Sequence, residues 1–262
     1  MASPRAPRQS KDAAAAETRR ALLAAGEKIL LDQPVGSVLD QVKAPEVARR
    51  AQRTTGAFYH HWATQADYQH ELIEYMLGPD RNTAAGDTLG GLTAHLATDI
   101  TLPHLVHVVG LDALLQARDN PRLPLLLSLW AKQAQSDQIR DLLQRNFRAS
   151  SETIARSYAV VLDHYGLRMR SPFTIDMLTV VLTGLIQGLA IRAAVDPDAV
   201  PLHLAVTFPA EGTSDDTWDL YSSTVLAIIG AMTTPDTTSG PSRGTTTPDL
   251  LAAFDELIAA SR

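Results

Sequence analysis

Pro45-Glu46-Val47-Ala48-Arg49-Arg50-Ala51-Gln52-Arg53-Thr54-Thr55-Gly56-Ala57-Phe58-Tyr59-His60-His61-Trp62 reads as two short helices joined by a tight turn. Proline suits the start of the first helix, where a missing amide N–H costs nothing. Val47, Ala48 and Ala51 fall on one inward face. Thr54 is a helix cap whose hydroxyl can accept from the free amides that follow it. Phe58 and Trp62, at i and i+4, form the buried side of the second helix. Thr55, Gly56, Tyr59 and His60 then face outward, with Arg49, Arg50 and Arg53 close by. A short helix with a small, uncharged front and basic surroundings is what the major groove of DNA accepts.

The segments on either side extend this reading. A helix is expected from about residue 12 to 31, with Leu22, Leu23, Gly26, Ile29 and Leu30 on one face. Thr64 and Asp67 have capping-box spacing, and the helix they open should end before Gly78-Pro79, packing through Leu72, Ile73, Met76 and Leu77. Charge is uneven along the chain. Residues 1–62 hold 10 Lys/Arg against 6 Asp/Glu, while residues 63–262 hold 13 against 23, so a +4 end sits on a −10 body. That balance suits a module that meets phosphate while the body stays acidic.

The Val47 to Trp62 order, Val-Ala-x-x-Ala-x-x-Thr-x-Gly-Ala-Phe-Tyr-x-His-Trp, resembles the helix-turn-helix of the TetR/AcrR-type transcriptional regulators. Thr18 to Gly26 resembles that family's first helix, and Thr64 to Tyr68 the start of its fourth. By motif the resemblance covers about residues 18–77. Four features depart from the pattern. Gln52 stands where the family usually has Gly in the turn, so a non-Gly residue is expected in the left-handed region. Arg53 replaces a small apolar residue, Gln65 replaces a basic one, and the segment Asp32 to Ala44 is slightly long. The resemblance and the helical geometry give the same DNA-binding set: Lys43, Arg53, Thr54, Thr55, Gly56, Tyr59 and His60. Within it Thr55 and Gly56 approach base edges, and Tyr59 and His60 hold phosphates.

The expected fold is all-α: a small N-terminal three-helix helix-turn-helix region joined to a larger helical ligand-binding and dimerisation domain. Residues 1–11 read as a disordered basic arm, 12–63 as the DNA-binding domain, 64–232 as the helical body, 233–247 as a flexible linker and 248–262 as a C-terminal helix. Body helices are expected at 84–98, 104–118, 122–134, 137–165, 173–194 and 216–232, with prolines at or beside the breaks. A loop is expected from Pro197 to Asp216, and no alternating run suggests a sheet.

Two body helices carry apolar stripes: Leu178, Leu182, Leu185 and Leu189 on one, and Tyr221, Val225 and Ile228 on the other. Gly184 and Gly188, four apart, would allow close helix approach. The resemblance implies that these helices form a homodimer contact, and a monomer core would use the same stripes. The family also implies a small-molecule effector, of unknown identity, in a pocket between the helices of 84–165. Polar and aromatic candidates for it are His95, His104, His107, Trp130, Phe147, Tyr158 and Gln187.

Other chemistries find little support. There is no cysteine, which excludes disulfides and cysteine-ligated metals. His104 and His107 are three apart without an evident third ligand, and adjacent His60 and His61 point about 100° apart on a helix, so no metal is expected. No cofactor is implied. No Gly-rich phosphate loop, His-Glu-x-x-His helix or Gly-x-Ser-x-Gly elbow occurs, and an enzyme is not expected. The longest apolar run, 175–195, contains Asp176, Gln187 and Arg192, so it reads as a packed helix of a soluble, cytoplasmic protein without a membrane span. The functional expectation is a homodimeric repressor released from a pseudo-palindromic double-stranded DNA operator by its effector. An activator and a non-catalytic helical interaction protein are the other readings.

Overall fold

Helix ends in this chain are set by short polar side chains and prolines. The computed structural model describes residues 9–32, 42–78, 92, 100–132, 136–205 and 217–236. Among these, α1 spans Gln9–Leu31, α2 Ala44–Arg50, α3 Thr55–His61, α4 Gln65–Leu77, α5 Leu102–Arg118, α6 Leu123–Lys132, α7 Asp137–His164, α8 Ile175–Val195 and α9 Leu220–Met232. The chain forms two compact units, residues 1–81 with 124–144 and residues 82–123 with 145–262.

In the first unit, α4 begins with the expected capping box. The Asp67 amide donates to Thr64 Oγ1 at 3.1 Å and the Thr64 amide to Asp67 Oδ2 at 2.9 Å. Its core gathers Leu22, Ile29, Val47, Phe58, Trp62, Tyr68 and Leu72. The opposite side of α4, Ile73 and Leu77, packs on Leu129 of α6 and on Ile139, Leu142 and Leu143 of α7. The residues expected on the inward faces of α1 and α4 are therefore all buried, Gly26 included, and its lack of a side chain has its own role below.

The second unit is built on α8, which is flanked by α5 and α9. Thr174 caps α8 by accepting from the Met177 amide, and Asp219 caps α9 by accepting from the Ser222 amide at 2.8 Å. These caps shift two helix starts from the expected ones: 173 becomes 175, and 216 becomes 220. By length and composition α8 could cross a membrane. Here Leu178, Leu182, Ala190 and Ala193 are buried in the core of the unit.

Strands appear where no sheet was expected. β1 (Leu167–Met169) pairs antiparallel with β4 (Thr233–Pro235), and β2 (Leu204–Ala205) pairs with β3 (Thr217–Trp218). Ladders of two or three residues are too short to leave an alternating pattern in sequence. β4 also means that the expected linker from residue 233 starts as ordered strand: the Arg170 guanidinium donates to Thr233 O at 3.1 Å and the Arg170 amide to Met232 O. The loop expected after Pro197 holds a 3-10 turn, Pro197–Ala199, as well as β2. Of the helix expected at 84–98 only Leu92 is described, and it is helical and buried; the helix expected at 248–260 lies outside the described residues, as does most of the N-terminal arm, while Gln9 to Lys11 belong to α1.

Candidate nucleic-acid interface

The turn between α2 and α3 is fixed by two backbone hydrogen bonds, Arg53 N to Ala48 O at 2.8 Å and Gln52 N to Arg49 O at 3.1 Å. This is the Schellman pattern that closes a helix with a left-handed residue. Gln52 occupies that position with φ of 54°, as its place in the turn implied. A left-handed L-residue costs about 1–2 kcal/mol. Glycine would relieve this while giving back roughly 0.4–1 kcal/mol of unfolded-chain entropy. Gln52→Gly should therefore stabilise the protein by about 0.5–1 kcal/mol, seen as a higher midpoint in urea with an unchanged slope.

Thr54 caps α3, accepting from the Ala57 amide at 3.1 Å. Phe58 and Trp62 are buried, and their rings lie 4.7 and 4.8 Å from that of Tyr68. This aromatic floor turns the other side of α3 outward. Thr55, Gly56, His60 and Tyr59 are exposed, Tyr59 by 52%. Arg53, Thr54 and Lys43 are exposed as well, so all seven expected contact residues lie at the surface of one unit. A side-chain carbon at Gly56 would meet only Thr54 Oγ1, at 3.7 Å, which leaves the front of the helix flat enough for a base edge.

The electrostatics are more restrained than the sequence suggested. Arg49 is held by Glu46, with Nε to Oε2 at 2.9 Å, and Arg50 pairs with Asp32. The Arg49 hydrogen bond, with help from Arg50, keeps the Glu46 carboxyl below its ordinary range. His61, next to exposed His60, is half-buried. Burial, then the charges of His60 and Arg19, push its imidazole below the ordinary value, against an opposing pull from Glu71. Two of the three arginines near the reading face are thus partly neutralised by partners on their own unit.

Comparison with known proteins bears on the body and on the fold. Residues 108–214 match the sequence model of the C-terminal region of BetI-type transcriptional repressors, a TetR C-terminal family. That region of the chain is similar to the TetR type. A solved structure described as a TetR-family transcriptional regulator from Mesorhizobium loti has a TM-score of 0.54 at 12% identity, covering 94% of this chain and 97% of that one. A TetR transcription regulator from Haloarcula marismortui has a TM-score of 0.50 at 14% identity, covering 84% and 100%. At such identities the likeness is one of fold. No curated protein matches the chain significantly. The matched body region and the fold are both like those of TetR-type regulators.

In the helical body the expected effector residues are spread out. His104 and Phe147 are exposed. Trp130 is half-buried in the first unit, beside Leu129 and Leu142. His107, Tyr158 and Gln187 are half-buried in the second, and His95 lies outside the described residues. Tyr158 packs on the core of that unit, and burial pushes its phenol up to about 12. The ring of His107 stacks on Trp218 at 4.7 Å, with Nδ1 3.8 Å from a carboxylate oxygen of fully buried Asp219.

The apolar stripes also divide differently from expectation. Leu178, Leu182, Tyr221 and Val225 are buried in their own unit, and Leu185, Leu189 and Ile228 are half-buried against the same core. The face of α8 left open is the opposite one: Met177, Val180 and Val181 are 50%, 64% and 43% exposed, followed by exposed Gly184 and Gly188. On α9 the open positions are small, namely Ala227, Gly230 and Ala231. The stripes expected at a subunit contact thus lie in the core of the single chain, and periodicity does not separate the two sides because α8 is apolar on both.

Proposed function

We propose that this chain is a cytoplasmic, homodimeric repressor that leaves a pseudo-palindromic operator when a small-molecule effector binds its body. The observation that carries the reading is α3, which buries Phe58 and Trp62 while presenting Thr55, Gly56 and Tyr59 outward. One such helix reads few base pairs, and two-fold pairing doubles its contacts at a fixed spacing. The open apolar face of α8, with glycines four residues apart, supplies a surface for the second copy. For the effector, His107 and Tyr158 are the candidates retained, as half-buried polar groups on otherwise apolar helices. Coupling between effector and operator in such switches is about 1–3 kcal/mol.

Fluorescence anisotropy with DNA from upstream of the gene, backed by random-site selection, tests the reading. Selective binding that weakens with salt is expected. The slope should correspond to only a few phosphates per subunit, because Arg49 and Arg50 are already paired. A chain that selects no sequence from a random pool is not a sequence-specific regulator. Within the same assay, Tyr59→Phe should weaken binding to every sequence by a similar factor, since a phosphate contact sets register without reading bases. A changed sequence preference would place Tyr59 against a base instead.

A further inference from the structure

Beneath the reading helix, three side chains from three helices meet at one carboxylate oxygen. Glu71 Oε2 on α4 accepts from the indole Nε1 of Trp62 at 2.7 Å and also from the guanidinium of Arg19 on α1. The guanidinium carbon of Arg19 stands 5.8 Å from the Trp62 ring centroid, within cation–π range. Trp62 is the residue that ends α3: its backbone is extended and its amide donates to Phe58 O. Of the side-chain hydrogen bonds seen in the first unit, the one from Trp62 to Glu71 joins the end of α3 directly to α4. The Glu71 side chain is only 22% exposed, so water competes weakly for the bond.

We infer that Glu71 is a positioning residue for DNA recognition, clasping the C-terminal end of α3 to α4 and α1 so that the outward face of α3 keeps its orientation. This rests on the reading of α3 as the recognition helix. Packing of Phe58 and Trp62 holds the helix down but constrains its rotation only loosely, because aromatic contacts tolerate sliding. A charge-assisted bond to the indole N–H is directional and removes that freedom. Glu71 itself need not touch DNA.

The test compares Glu71→Ala with Glu71→Gln in the full-length chain. The amide oxygen of Gln still accepts from Trp62, whereas Ala removes the acceptor. Two readouts are taken well below each variant's melting midpoint: affinity for a duplex obtained by random-site selection on the parent chain, and amide hydrogen exchange in residues 55–62. Glu71→Ala should bind about tenfold more weakly and exchange faster in that segment, with Glu71→Gln within about threefold of the parent in both. Parent-like behaviour of Glu71→Ala overturns the inference, and so does Gln falling as far as Ala. If the parent chain selects no duplex, the DNA-binding reading fails on its own, and the exchange comparison still decides whether the clasp holds α3.

Discussion

Val181→Glu should convert the protein to a monomer in sedimentation and lower its affinity for a palindromic site by at least about a hundredfold. Val181 lies on the open face of α8, turned away from the side where Leu178 and Leu182 are buried. In a two-fold contact centred on this face, each copy would place a carboxylate against an apolar surface with no partner. Leaving a charge buried and uncompensated costs on the order of 3–5 kcal/mol, which is roughly a factor of a hundred or more in the dimer equilibrium. A monomer offers DNA one reading helix, so selective affinity falls with it. Because Val181 is already 43% exposed in the isolated chain, the fold of each protomer should survive. Leu182→Ala is the informative control. It removes a side chain that is 2% exposed and should cost about 2–5 kcal/mol of stability, with much less effect on association. A Val181→Glu protein that still sediments as a dimer would move the interface elsewhere.

The contrast between Val181 and Leu182 also shows what the sequence could and could not convey. The reading head was legible because its determinants are local: a cap at Thr54, apolar residues at 58 and 62, and a turn that puts Gln52 into the left-handed region. Each follows from spacing within one helical turn. The open face of α8 was not legible in that way. Valines, leucines and isoleucines surround this helix, and what separates its faces is coverage by α5 and α9, whose contacts are remote in sequence. The same holds for Glu71, which reads as an ordinary surface acid on α4 until Trp62 and Arg19, the latter 52 residues away, are seen to meet it. Effector candidates fared similarly. Their types could be picked from apolar helices, but residue type says nothing of which surfaces enclose them.

Gly26 and Tyr68 are the sharpest case of such long-range dependence, and they give the second large effect. Tyr68 is fully buried, and its hydroxyl donates to Leu22 O at 2.9 Å across 46 residues of sequence. Burial, reinforced by the negative charge of Glu71, drives its phenol far above the ordinary range, so it remains a donor at any working pH. The hydroxyl reaches α1 only because Gly26 has no side chain. A Cβ there would overlap Tyr68 Oη outright, and it would stand 3.1 Å from Leu72 Cδ2. The phenol cannot swing away, since its ring is wedged between Phe58 and Trp62. In an exposed helix Gly→Ala would gain about 1 kcal/mol. Here the overlap costs about 1–3 kcal/mol, and displacing the buried hydroxyl from its acceptor adds about 1–3 kcal/mol more. Gly26→Ala should therefore destabilise by about 2 kcal/mol or more in urea unfolding. Tyr68→Phe alone loses one hydrogen bond, about 1 kcal/mol, and leaves the ring carbon Cζ and the mobile end of Leu72, each 3.1 Å from the new methyl, as its close contacts. In that background Gly26→Ala should become nearly neutral, a coupling of about 2 kcal/mol and within the range found for residues in contact. Additive losses in the double variant would mean that the cost at Gly26 arises from something other than the phenol hydroxyl. Since Tyr68 is also the floor on which Phe58 and Trp62 rest, the single Gly26 variant should lose DNA affinity as well, and the double variant should recover it.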